Sequence, residues 1–231
     1  MLSKVSQKPN IISHKNASLD AMCSCLMIAK YFKQLGKSPK IVNFGKLSKN
    51  FIKKLNFKFE NKLNINESII TINCINKDEA LINYENCDIS IDHQKNNQLF
   101  ADLNIIDLKA CSTTEIIWNI IPDQFKNQSI AEICLIGIYS ETNFLKSDKV
   151  QSRTYLVCKE IFKFKPNLNK INNIIKKEYN SEKLKKMGQT ILKTELKKLK
   201  SDSHIEQAIQ INDIKIIKII QKNKNSVQKL N

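Results

Sequence analysis

The sequence predicts an α/β domain: a mostly parallel sheet flanked by helices, followed by a helical linker and a short α+β end. Two observations predict the domain. Short β-branched runs recur along the first half of the chain, and segments with helical spacing of apolar residues alternate with them. A third observation marks where it stops: after Pro166 the chain turns lysine-rich and amphipathic.

The elements follow in order. "NIIS" (10–13) is a short strand that ends just before His14. "SLDAMCSCLMIAKYFKQLGK" (18–37) has apolar side chains at helical spacing; Ser18 or Asp20 can cap its start and Gly36 ends it. "KIVNF" (40–44) is a second strand, and residues 46–64 are a basic, amphipathic stretch with a short helix and a loop. "SIITINCI" (68–75) is a buried strand by its β-branched content. A short helix at 77–84 leads to the strand at 87–91. "STTEIIWNII" (112–121) is a helix with a capping signal, Ser112 reaching toward the backbone of Glu115, and Pro122 closes it. Helices are expected at 129–143 and 152–164. Beyond Pro166, two lysine-rich helices are expected, then a strand-like stretch at 203–221 in which Asn212-Asp213 starts a short last helix. The expected boundaries are 1–165 for the α/β domain, 166–200 for the linker and 201–231 for the remainder.

Composition narrows the function classes. No apolar run reaches the ~18–20 residues of a membrane span, and the N-terminus carries no secretory signal. A cytoplasmic protein is expected. The seven cysteines are odd in number and form no C-x-x-C pair, which suits reduced, buried thiols better than a zinc site. The net charge is +16, and 37 of the 38 basic residues are Lys. The excess runs along the chain, with 15 Lys against 6 acidic residues after position 165. Most of it reads as a solvated lysine coat with weak attraction for phosphate. Against that background the rare residues are informative: three His (His14, His93, His204) and one Arg, Arg153. His204 reads as an ordinary surface residue.

Parallel sheets bind ligands outside the carboxyl ends of their strands. His14 follows the first strand, Asn73 lies near the end of the third, and Asp92-His93 end the fourth. Three polar positions far apart in sequence therefore meet at one sheet edge.

These residues carry a resemblance. "ISHKNASLDAMCSCLMIAKYFKQLGK" resembles the first motif of the DHH phosphoesterase superfamily: a strand, a His, an Asn two residues on, and two Asp separated by one residue at a helix start. "ISIDHQKNNQLFADLNIIDLKACSTTEII" resembles the Asp-His-His block with its Asp-Leu-Asn and Ser-Thr-x-Glu segments. "IGIYSETNFLKSDKVQSRTYLVCKEIF" resembles the fourth motif. The nano-RNase and phosphoadenosine-phosphate phosphatase branch is the nearest in pattern. The resemblance implies a DHH-type domain hydrolysing phosphate esters of short oligonucleotides or nucleotide bisphosphates with Mn²⁺ or Mg²⁺. Two such ions ~3.5–4 Å apart repel, so carboxylates must surround and bridge them.

Carried across by position, the resemblance implies metal ligands at His14, Asp20, His93 and Glu141, catalytic roles at Asp92 and Gln94, and substrate phosphate binding at Arg153. It also shows departures. Ser18 and Asn73 stand where the motif has Asp, Gln94 where it has its last His, and Glu141 where it has Asp. Glu141 keeps the charge. Ser18 and Asn73 each remove one, and Gln94 has no imidazole nitrogen for proton transfer. One ion at most, held by Asp20, His93, Glu141 and waters, is the expectation. For Arg153 a structural bridge to a carboxylate stands beside the substrate role, as a plain cap stands beside an anion site at the start of helix 112–121.

The family's second domain carries a Gly-rich substrate loop. Here the last glycine is Gly188, so residues 201–231 are expected to be a truncated remnant of that domain. Three functions stay open: a phosphoesterase with impaired turnover, a non-catalytic protein that binds nucleotide, RNA or a protein partner (a second copy included), and a relative of the manganese pyrophosphatases.

Overall fold

The structure, a computed structural model, describes residues 5–43, 45, 49–82, 86–175, 204–211 and 214–221. It divides into two units, residues 1–176 and 177–231.

The first unit is built on five parallel strands in the order β2-β1-β3-β4-β5. β1 (Asn10–Ser13) lies between β2 (Lys40–Val42) and β3 (Ile69–Ile72); β4 (Ile89–Asp92) and β5 (Leu103–Ile106) extend the sheet beyond β3. Strand order reverses beside β1, so the carboxyl ends of β1 and β3 flank a switch point. The period of two sorts the side chains. Ile11, Ile70, Ile72, Ile89 and Ile91 join the larger core, while Ile12 and Ile69 join a smaller one with Val42, Cys74 and Ile82.

Helices α1 (Leu19–Gln34), α4 (Thr113–Ile120) and α5 (Gln128–Thr142) pack on one another over the larger core. The other face carries the smaller cluster, which includes Ala80 of α3 (Lys77–Ala80). Helix α2 (Lys49–Leu55) lies between β2 and β3 in the chain, and α6 (Ser152–Phe162) and α7 (Leu168–Ile175) follow α5. All seven cysteines are buried and free, behaving as small hydrophobes. Among the described residues, no helix is long and apolar enough to cross a membrane.

The α/β architecture and the sheet-edge placement agree with the sequence reading, with three differences. β5 was not foreseen: "LNII" is four residues, and no helix intervenes between β4 and β5 to mark a crossover. The helix expected over 77–84 is one turn, stopped at Leu81, whose φ of +58° lies in the left-handed region. Residues Ile214–Gln221 are a strand, β7, not a helix; "IKIIKIIQ" is dominated by isoleucine and pairs antiparallel with β6 (His204–Ile211). The expected start of that helix, 212–213, lies outside the described residues, as does most of the linker, 176–200.

Candidate anion-binding site at the carboxyl edge of the sheet

Asp20 sits in the first turn of α1, and Ser18 is the cap of that helix, its Oγ accepting from the Ala21 amide at 3.1 Å. The Asp20 carboxylate is fully buried and turned to another element. Oδ2 accepts from the Thr113 amide at 2.9 Å; Oδ1 accepts from the Thr114 amide at 3.1 Å and from its hydroxyl at 2.9 Å. The anion at the start of α4 is thus the chain's own carboxylate, and both its charge and the helix dipole favour this. Ser112 supplies the cap foreseen from the sequence, its Oγ accepting from the Glu115 amide at 3.1 Å.

Close approach of α5 makes the arrangement possible. A Cβ on Gly137 would run into the Thr114 side chain and lie 2.8 Å from Asp20 Oδ1. Only glycine leaves that space.

Asn73 follows β3 with φ of +56°, a conformation Asn tolerates better than most residues. Its amide oxygen accepts from the Thr113 hydroxyl at 3.1 Å and, at 3.5 Å, from Gln94 Nε2. Thr113 Oγ1 lies 2.9 Å from His93 Nδ1. The hydroxyl has one proton, and it goes to Asn73. His93 must then donate through Nδ1–H, which leaves Nε2 with its lone pair.

Asp92 is fully buried, and its carboxylate closes the loop after β4. Oδ1 accepts from the His93 and Gln94 amides at 2.7 and 3.2 Å, and Oδ2 from Asn97 Nδ2 at 2.9 Å. Burial raises its pKa, against the pull of those donors. His14 is half-buried after β1; its Nε2 accepts from the Ser18 amide at 3.4 Å, and desolvation lowers its pKa although Glu79, Asp92 and Asp20 oppose this. Glu141, in the last turn of α5, has its pKa raised by burial and then by the Asp20 charge; His93 and Lys149, 3.8 Å away, pull it down.

Arg153 bridges two carboxylates. Its Nε donates to Glu115 at 3.0 Å and one terminal nitrogen lies 2.6 Å from Asp107. Glu115 is wholly buried and also accepts from the Cys111 amide and the Thr154 hydroxyl.

Asn73, Gln94, His93, Thr113 and Asp20 are joined in one hydrogen-bonded edge, with Glu141 close enough to feel the Asp20 and His93 charges. Outside it, His93 and Gln94 line a cleft of about 350 Å³ with Lys95, Lys109 and Lys149. The sequence reading gave no site role to Thr113, Thr114, Gly137 or these lysines, although Thr113 and Gly137 stand in the motif segments. The "STTE" quartet held the signal for the threonines: two hydroxyls directly after an N-cap.

The arrangement differs from the carboxylate-lined two-ion centre that the family resemblance implies. Among the described residues, no three His, Cys, Asp or Glu side chains converge as metal ligands. Asp20 is engaged by α4, Asp92 by its own loop, and a neutral amide stands at Asn73. Two close dications would lack the carboxylates that offset their repulsion.

A parallel sheet whose strand order reverses beside a gathered set of polar side chains defines an α/β domain built to take a ligand at its carboxyl edge. The profile of the DHH family, N-terminal domain, matches residues 9–138, and the chain belongs to that family. Two solved structures share the fold. An exopolyphosphatase-related protein from Bacteroides fragilis superposes with a TM-score of 0.71 at 16% identity, over 83% of this chain and 62% of that one. A Methanococcus jannaschii protein assigned to the family II inorganic pyrophosphatases gives 0.53 at 17% identity, over 68% and 56%. The chain therefore spans less than two thirds of either protein. No curated protein matches it.

Proposed function

We propose that the chain is a phosphate-ester-binding member of the DHH family whose hydrolytic activity is impaired. The ligand class is a short oligonucleotide or nucleotide bisphosphate, as in the nano-RNase branch that the sequence resembles. One observation carries the reading. The centre of the site is a neutral hydrogen-bond relay, His93–Thr113–Asn73–Gln94, where hydrolysis needs clustered carboxylates. At most one Mn²⁺ or Mg²⁺ ion binds, with His93 Nε2 and Glu141 as the donors left open.

The residues divide the work of binding. No hydrogen bond within the described residues engages Nε2 of His93, which leaves that atom for a ligand. The Gln94 amide and the ammonium groups of Lys95, Lys109 and Lys149 border the same cleft. Asp107 and Glu115 take two nitrogens of Arg153 and leave the third for a phosphate. Asp92 orients His93 and Gln94 through their amides. Gln94 exchanges no proton near neutral pH, so His93 is the single imidazole of this set that could activate a water.

The test is a labelled dinucleotide, phosphoadenosine phosphate and inorganic pyrophosphate, each with Mn²⁺. Binding weakened by His93→Ala and Lys149→Ala, with turnover no faster than in those variants, is the expected result. Turnover well above both variants would overturn the impaired reading, and preference for pyrophosphate would favour the pyrophosphatase-like alternative. Calorimetric titration with Mn²⁺ should give no more than one site per chain.

A further inference from the structure

A second cavity of the first unit lies away from the sheet edge. It holds about 670 Å³ against about 350 Å³ for the cleft beside His93, and none of the site residues lines it. Helices α1 and α5 reach both places, carrying Asp20 and Glu141 at one end and cavity residues at the other. This volume is in the range of small-molecule sites, about 300–1,000 Å³.

Its chemistry is divided. Leu26, Ile41, Leu55, Ile133, Ile136 and Ile174, from five different elements, give an aliphatic floor. Lysines 30, 33, 40, 54, 58 and 170 stand around it with only Glu60 and Glu132 as acidic residues. Those two carboxylates are already committed, Glu60 to Lys40 at 3.0 Å and Glu132 to Lys170 at 2.6 Å. Among the described residues, no ion pair engages Lys30, Lys33 or Lys58. Lys30 and Lys33 are three apart on α1 and share a face. Uncompensated ammonium groups above a branched aliphatic floor call for an anion with an apolar body. The floor offers few groups to read the edge of a nucleobase; Asn56 and Ser129 are the neutral polar residues of the lining.

We propose that this cavity binds a single-chain anionic amphiphile, an acyl tail on the isoleucine floor with a carboxylate or phosphate head held by Lys30, Lys33 and Lys58. The site is separate from the sheet-edge cleft and does not depend on the function proposed for that cleft.

Calorimetry on the full chain tests it with four probes below their micelle concentrations: dodecanoate, dodecyl phosphate, dodecanol and inorganic phosphate. Saturable binding of dodecanoate or dodecyl phosphate is expected, and the tighter of the two identifies the head group. Reversing charge with Lys30→Glu and Lys33→Glu together should weaken it about tenfold or more, with the fold intact by circular dichroism because Lys33 is exposed and Lys30 only half-buried. His93→Ala should leave it unchanged. The proposal is overturned if neither amphiphile saturates, if dodecanol binds as tightly as dodecanoate, if inorganic phosphate binds as tightly as dodecyl phosphate, or if charge reversal has no effect.

Discussion

The hydroxyl of Thr113 joins His93 to Asn73, 2.9 Å from the imidazole Nδ1 and 3.1 Å from the amide oxygen. This places one proton on each side of the threonine oxygen and fixes His93 in the Nδ1–H form. Thr113→Val should release the ring, and heteronuclear NMR of the imidazole nitrogens should then show the Nε2–H tautomer gaining population. Thr113→Ser should preserve the wild-type pattern. The valine variant should also lose about 1–3 kcal/mol in urea denaturation, since the buried Asn73 oxygen keeps only its long 3.5 Å contact with Gln94.

Asp20 is a structural anion as well as a family motif residue. Replacing it by alanine strips the Thr113 and Thr114 amides of their acceptor inside the core. A loss of about 3 kcal/mol is expected in metal-free protein. An unchanged or raised stability under those conditions would show that the carboxylate serves only a ligand role.

Gly137→Ala offers a test of sign. Alanine is the better helix former by about 1 kcal/mol. Its methyl would nevertheless meet Thr114 and Asp20. The clash should win, with a net destabilisation of about 1–3 kcal/mol and, in NMR, shifted Thr113 and Thr114 amides.

The two carboxylates on Arg153 should differ in worth. Glu115 is wholly buried and holds three donors, whereas the Asp107 side chain is 32% exposed. Glu115→Ala should cost about 3 kcal/mol or more. Asp107→Ala should cost about 1 kcal/mol or less, and less still in high salt.

Glu132 gives a pH signature. Burial pushes its carboxyl up, but the Lys170 ammonium, the Asn167 amide and the Gln128 side chain together hold it below the usual glutamate range. The native state therefore binds this proton later than the unfolded state as pH falls. Its contribution is complete above about pH 4.5 and drains away as pH drops through the depressed native value. Glu132→Gln should flatten the fall in stability over that acid window and change little of its slope near neutrality.

Local chemistry made much of the fold legible. Ser18, Ser112 and Gly36 announced the ends of α1 and the start of α4, and the β-branched runs announced β1 to β4. β5 is four residues without an intervening helix, so it left no periodic signal. At Ile214–Gln221 isoleucine content decided for strand over helix. The site was legible as positions and less so as contacts. His14, Asn73, Asp92 and His93 were placed on one edge by topology alone. That Asp20 would be engaged by the start of α4 could not be read, because its partners lie 93 and 94 residues away.

That separation sets an order of assembly. Asp20 is in α1, synthesised well ahead of α4, and its charge finds its amides only after Thr114 has left the ribosome and β3, β4 and β5 have been laid down between them. Until then the α1 terminus carries an anion without its native partners. Closing so long a loop costs more chain entropy than a local contact does. The same pair of hydrogen-bonded amides that shapes the site thus ties the first turn of α1 to a segment that follows the whole sheet in the chain.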